Sequence, residues 1–98
     1  MLASKVDLNQ PQIIRDLRKL GACVTVISSV GKGVPDLLVS YQDNWYLFEL
    51  KNPDNPKSKQ RLTKDEQKWV NKQKAPVYII RDIGEAITIF YNARREGL

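Results

Sequence analysis

Asp36, Glu49 and Lys51 are charged residues set against the apolar runs of the stretch from Gly33 to Asn52, G-V-P-D-L-L-V-S-Y-Q-D-N-W-Y-L-F-E-L-K-N, whose polar middle is Gln42-Asp43-Asn44. A carboxylate inside Leu47-Phe48-Glu49-Leu50 is costly to bury without a partner. Two carboxylates on one patch can hold a hard divalent cation through oxygen, with water completing the shell. Such an ion acidifies a bound water and neutralises charge building on a phosphate. A neighbouring lysine can steer or deprotonate that water and contact the phosphate. This is the chemistry of phosphodiester hydrolysis. The plainer alternatives are Asp36 as a residue of the turn before a strand, and Glu49 neutralised by a salt bridge to Lys51 or placed on an exposed edge.

The stretch that carries these groups reads as a hairpin. Leu37 to Tyr41 is an apolar run, Gln42-Asp43-Asn44 is turn chemistry, and Trp45 to Phe48 is aromatic and strand-prone. Glu49 and Lys51 are two apart on a strand, so they leave one face while Leu50 points into the core. If Asp43-Asn44 forms a two-residue loop, Gln42 faces Trp45, Leu38 faces Glu49 and Asp36 faces Lys51. Directly opposed residues share a face, so the three charged groups converge at the open end of the hairpin.

The pattern Pro35-Asp36 followed by Glu49-Leu50-Lys51 resembles the PD-(D/E)xK nuclease superfamily. The wider run, G-x-G-V-P-D-L-L-V from Gly31, F-E-L-K from Phe48 and S-K-x-R-L-T-x-x-E-Q-K-W from Ser58, resembles a VRR-NUC domain of the small stand-alone phage and bacterial type. The similarity spans about Asp7 to Ala86. It implies a restriction-endonuclease-like core and a structure-specific DNA endonuclease, with branched DNA such as Holliday junctions as a candidate substrate. Asp36, Glu49 and the Leu50 backbone carbonyl would hold Mg²⁺ or Mn²⁺, Lys51 would orient or activate water, and Gln67 would help arrange the site. Many such domains add a polar ligand from the first helix, for which Asp7 and Asn9 are the candidates here. A homodimer is implied too, since symmetric cutting needs two sites.

Composition bounds the other possibilities. The chain has 98 residues, 42% of them hydrophobic and 28% charged, enough for one small domain with a modest core. A net charge of +5 favours a polyanionic partner, nucleic acid first and acidic membrane second. The absence of histidine excludes Ser-His and Cys-His catalytic pairs and histidine-metal nucleases. The single cysteine, Cys23, allows no intramolecular disulfide or cysteine zinc site. It reads as a buried apolar filler in a reducing, cytoplasmic setting such as a bacterial host cell. No apolar run approaches a membrane span, and Met1 to Lys5 does not read as a secretory signal.

The elements that must position the site follow in order. Residues 1–6 read as a loose tail. A helix is expected from Asn9 or Gln10, with Pro11 in its first turn, an Ile13-Leu17-Leu20 stripe and Gly21 at its end. Cys23 to Ser28 is the first strand. Gly31-Lys32-Gly33 is either a close approach to phosphate or a flexible connection, and no helix follows to make it a nucleotide-binding loop. Asn52 to Leu62 is broken by two prolines and made basic by Lys57, Lys59 and Arg61. It is either a solvated loop or a mobile flap that grips DNA. Thr63-Lys64-Asp65-Glu66 is a capping box opening a basic second helix to about Gln73, with Glu66 read as the cap rather than a ligand. Val77 to Ile80 is a strand, and Asp82 caps the last helix.

The fold class is therefore α/β, a mixed β-sheet flanked by helices in the order α-β-β-β-α-β-α, as one domain over 1–98. The second helix crosses over to a parallel strand. The expected DNA contacts are Lys32, Lys57, Lys59, Arg61, Lys64 and Lys68. A non-catalytic nucleic-acid-binding module of the same fold, with the three charges as a structural network, is the competing reading. An accessory protein with no nucleic-acid role is a third.

Overall fold

The computed structural model describes residues 9–96. Helix α1 (Gln10–Lys19) leads into β1 (Cys23–Val26), β2 (Leu37–Tyr41) and β3 (Asn44–Leu50). Helix α2 (Lys64–Asn71), β4 (Tyr78–Ile80) and α3 (Ile83–Glu96) follow. The order is α-β-β-β-α-β-α, as expected. The four strands form one mixed sheet in the order β1-β2-β3-β4. β1, β2 and β3 pair antiparallel, and β3 pairs parallel with β4 across the α2 crossover. No helix among the described residues is long and apolar enough to cross a membrane.

One face of the sheet carries the core because the apolar residues alternate in register. Val24, Leu37, Val39, Tyr46, Phe48, Leu50 and Ile80 are buried there, against Ile13 and Leu17 of α1 and Ala86 and Phe90 of α3. Phe90 is the hub. Its ring stacks on Tyr41 at 4.3 Å between centroids and meets the Tyr46 ring edge-on at 4.9 Å. Aromatic pairs at these separations add about 1 kcal/mol each beyond the area they bury.

The hairpin differs in register from the expectation. Its turn is Gln42-Asp43, not Asp43-Asn44: both residues have positive φ, 46° and 73°, and Asn44 pairs with Tyr41 as part of β3. Both central residues of the tight hairpin turn that matches strand twist need this left-handed geometry. Leu38 therefore faces Leu47 and Leu37 faces Phe48, so one step further along the ladder Asp36 stands across from Glu49 rather than Lys51. The shift is two residues, so every side chain keeps its face. The hydrophobic pattern is identical in either register and could not discriminate between them.

Two smaller expectations are corrected. β1 stops at Val26, and Ser28–Val30 forms a single 3₁₀ turn instead of continuing the strand. Cys23 is exposed, not a buried filler. It lies on an edge strand one residue before the buried Val24, and alternation turns it away from the core.

Candidate active site

Asp36, Glu49, Leu50, Lys51 and Glu66 line one pocket at the open end of the hairpin. Ser58, Lys59, Arg61 and Leu62 of the following loop form another of its walls. Each of the charged groups arrives by a separate local cause. Asp36 follows the buried Pro35 and continues the β1–β2 ladder, its carbonyl accepting the Ile27 N–H at 2.8 Å. Its carboxylate reaches across the hairpin and accepts the Leu50 N–H at 2.8 Å. Glu49 and Lys51 leave the sheet face opposite Phe48 and Leu50. The Lys51 N–H donates to Ile80 at 3.0 Å, which anchors the end of β3 to β4.

Glu66 comes from α2 by way of the helix cap. Thr63 Oγ1 accepts the Glu66 N–H at 3.2 Å and Glu66 Oε1 accepts the Thr63 N–H at 2.8 Å, a complete capping box. The same oxygen lies 3.0 Å from Lys51 Nζ, and Glu49 Oε2 lies 3.4 Å from it on another side. Sequence reasoning assigned Glu66 to the cap alone. The capping box was its signal, because a reciprocal cap holds the N3 carboxylate at the helix start, the end of α2 nearest β3.

Gly33 sets how closely that helix end approaches. Its φ is +88°, and a Cβ there would collide with the backbone carbonyl of Asp65 in the first turn of α2. The glycine-flanked loop thus makes a close backbone approach to α2 at Gly33.

The electrostatics follow from burial. Glu49 is only 5% exposed. Desolvation, then its hydrogen bond with Glu66, then the nearby Asp36 and Glu66 charges push its carboxyl up to about 9, against a smaller opposing pull from Lys51. Glu66 is also partly desolvated, which by itself would raise it. Hydrogen bonds from Glu49, the Thr63 N–H and Lys51 outweigh that and hold it below the ordinary carboxylate value. The two neighbouring carboxyls are thus pushed in opposite directions, Glu49 up by its burial and Glu66 down by the donors around it.

Among the described residues no three His, Cys, Asp or Glu side chains form a ready metal cage. The donor set nevertheless suits a hard divalent cation. Asp36 and Glu49 carry oxygen donors and Leu50 lines the same pocket; a dication held there would take its remaining ligands from water and would favour the ionised form of the buried Glu49.

The other expected residues are distributed as follows. Lys59 and Arg61 stand on the pocket wall, and Lys57 lines an adjoining cleft with Arg81. Lys32, Lys64 and Lys68 are exposed but line neither. Gln67 is exposed and donates to Asn71 at 2.8 Å along α2, so the α2 side chain that reaches the pocket is Glu66. Asn9 makes no cap hydrogen bond with its side chain. Its amide instead donates to the carbonyls of Lys51 at 3.3 Å and Arg81 at 3.2 Å, tying α1 to the ends of β3 and β4. Asn9 Oδ1 is buried with no hydrogen-bond partner among the described residues. Asp7 lies outside the described residues.

Fold and site together define an α/β domain with a carboxylate–lysine pocket at the mouth of a β-hairpin. No family model, curated protein or solved structure matches the chain.

Proposed function

We propose that the chain is a metal-dependent deoxyribonuclease, an endonuclease hydrolysing DNA phosphodiester bonds, with branched forms such as Holliday junctions as candidate substrates. The observation that supports this is the convergence of Asp36, Glu49 and Lys51 on one pocket whose wall carries Lys59 and Arg61. The motif resemblance to VRR-NUC nucleases points the same way. So does the +5 charge of the chain.

In this reading Asp36, Glu49 and the Leu50 carbonyl hold Mg²⁺ or Mn²⁺. When bound, the ion supplies counter-charge for the phosphate and acidity for its water. Glu49 must release its proton before it can serve as a ligand. Lys51 donates to a phosphate oxygen and orients the attacking water. Glu66 stays ionised and aims the Lys51 ammonium into the pocket. Lys59 and Arg61 bind flanking phosphates and fix the strand. A two-fold homodimer would present two such pockets to a branched duplex.

One observation favours a second reading, a non-catalytic DNA-binding module. Lys51 Nζ lies 3.4 Å from Glu49 Oε2 and 3.0 Å from Glu66 Oε1, and Asp36 accepts a backbone N–H, so the cluster also closes on itself as a structural network. Incubation of branched and linear DNA with and without Mn²⁺ separates the two. Metal-dependent cutting that vanishes in Lys51→Ala and Asp36→Ala, while binding survives, is expected of the nuclease. Binding without cutting under any metal selects the module, and no binding at low salt removes both.

A further inference from the structure

The basic loop after β3 is tied down by one side chain. Gln60 Nε2 donates to the carbonyls of Asn52 at 2.6 Å and Asn55 at 3.0 Å, and Gln60 Oε1 accepts the Arg81 Nε–H at 2.8 Å. One amide therefore joins the start of the loop, its middle and the end of β4. Arg81 is held in turn: its N–H donates to Glu85 Oε1 at 2.6 Å, and its guanidinium pairs with the same carboxylate at 3.3 Å. The loop start is also folded on itself, with Asn52 buried and its Oδ1 accepting the Asp54 N–H at 2.9 Å. Pro53 and Pro56 further restrict the backbone. Far from a loose flap, the segment is a latched arm.

We infer that Gln60 is a positioning residue for DNA binding: its three-way clasp sets Lys59 and Arg61 on the pocket wall against the sugar–phosphate backbone. Gln60 lies directly between these two cations in sequence. Its side chain turns toward Arg81, while the side chains of its neighbours remain exposed. An amide that makes three hydrogen bonds with backbone and guanidinium partners restricts the loop to one arrangement and lowers the ordering cost of the binding step. The inference deepens the nuclease reading and rests on DNA being the ligand, but not on any cutting.

The test is fluorescence anisotropy of the full chain with labelled duplex and branched DNA in EDTA, so that no cleavage intervenes, across a series of salt concentrations. Gln60→Met keeps the length of the side chain and removes all three hydrogen bonds. Gln60→Ala is the second variant should the first not melt cooperatively. The expected result is binding about tenfold weaker near 0.1 M salt, with the slope of log affinity against log salt shallower by about 2, one per lost phosphate contact. A purely structural role would leave that slope unchanged in the folded protein. In a Lys59→Ala, Arg61→Ala background the same Gln60 change should weaken binding by less than about twofold, because its effect passes through those cations. Equal losses in both backgrounds, or unchanged binding by a folded Gln60 variant, overturn the clasp and leave the nuclease reading intact. No DNA binding by the wild-type chain overturns both.

Discussion

Lys51 Nζ and Glu66 Oε1 stand 3.0 Å apart, and that same oxygen caps α2 by accepting the Thr63 N–H. One carboxylate thus closes a helix and holds the lysine of the pocket. Separating the two duties gives the first prediction. Glu66→Gln keeps an acceptor for the cap but loses the charge, and should cost about 1 kcal/mol in urea denaturation. Glu66→Ala loses both and should cost about 2 kcal/mol or more. Both should lower DNA cutting at least tenfold if Glu66 aims Lys51. A Glu66→Gln variant that cuts at the wild-type rate would restrict Glu66 to the cap.

The buried Glu49 carboxyl gives the second prediction. Its folded value is raised, so the native state binds more protons than the unfolded chain between the ordinary carboxylate value and about 9. Stability from this group is full at the acid end of that window and falls as pH rises through it. Glu66 acts in the opposite sense at lower pH, its contribution being lost as pH drops through its lowered value. Glu49→Gln should therefore flatten the loss on the alkaline side and melt higher than wild type at pH about 8, by about 2 kcal/mol. Mn²⁺ competes with the Glu49 proton, so it should raise the wild-type melting temperature more at pH about 8 than at about 6. It should leave Glu49→Gln nearly unmoved. Thermal melts across this range test both statements.

Gly33 supplies the third. Gly33→Ala meets both a positive φ and the Asp65 carbonyl, so α2 must move away from the hairpin. The expected loss is about 3 kcal/mol, with DNA cutting falling further than stability because Glu66 moves with the helix. Gly21→Ala is the control. Its φ is +100° but nothing lies near its Cβ position, so it should cost about 1 kcal/mol and spare the site. Equal effects from the two would mean that backbone strain alone, and not helix approach, explains Gly33.

The elements that position the site could be read from local chemistry. Pro11, Gly21, the Thr63-to-Glu66 box and Asp82 mark helix ends by hydrogen-bonding rules that act within a few residues. The α2 capping box, the Asp82 cap of α3 and the proline in the first turn of α1 appear where those rules place them. The face shared by Asp36, Glu49 and Lys51 was also readable, because strand alternation survives a two-residue slip. The partner opposite Asp36 was not, since Asp43-Asn44 is the more favoured pair for a two-residue turn and Gln42 is an unfavoured residue for positive φ. Glu66 was half visible: a cap is local, but its reach to Lys51 depends on how α2 folds back past Gly33. The Gln60 clasp was invisible, joining residues up to 29 positions apart, from Asn52 to Arg81, through an unremarkable glutamine.

The most direct test of the account is Mn²⁺-dependent cutting of a labelled branched DNA by the wild-type chain and by Lys51→Met, with DNA binding measured alongside. The account predicts cutting by wild type that EDTA abolishes, a loss of at least about a hundredfold in Lys51→Met, and DNA affinity within about threefold of wild type. Wild-type protein that binds this DNA yet never cuts it under Mg²⁺ or Mn²⁺, or a Lys51→Met variant that cuts as fast as wild type, would contradict it.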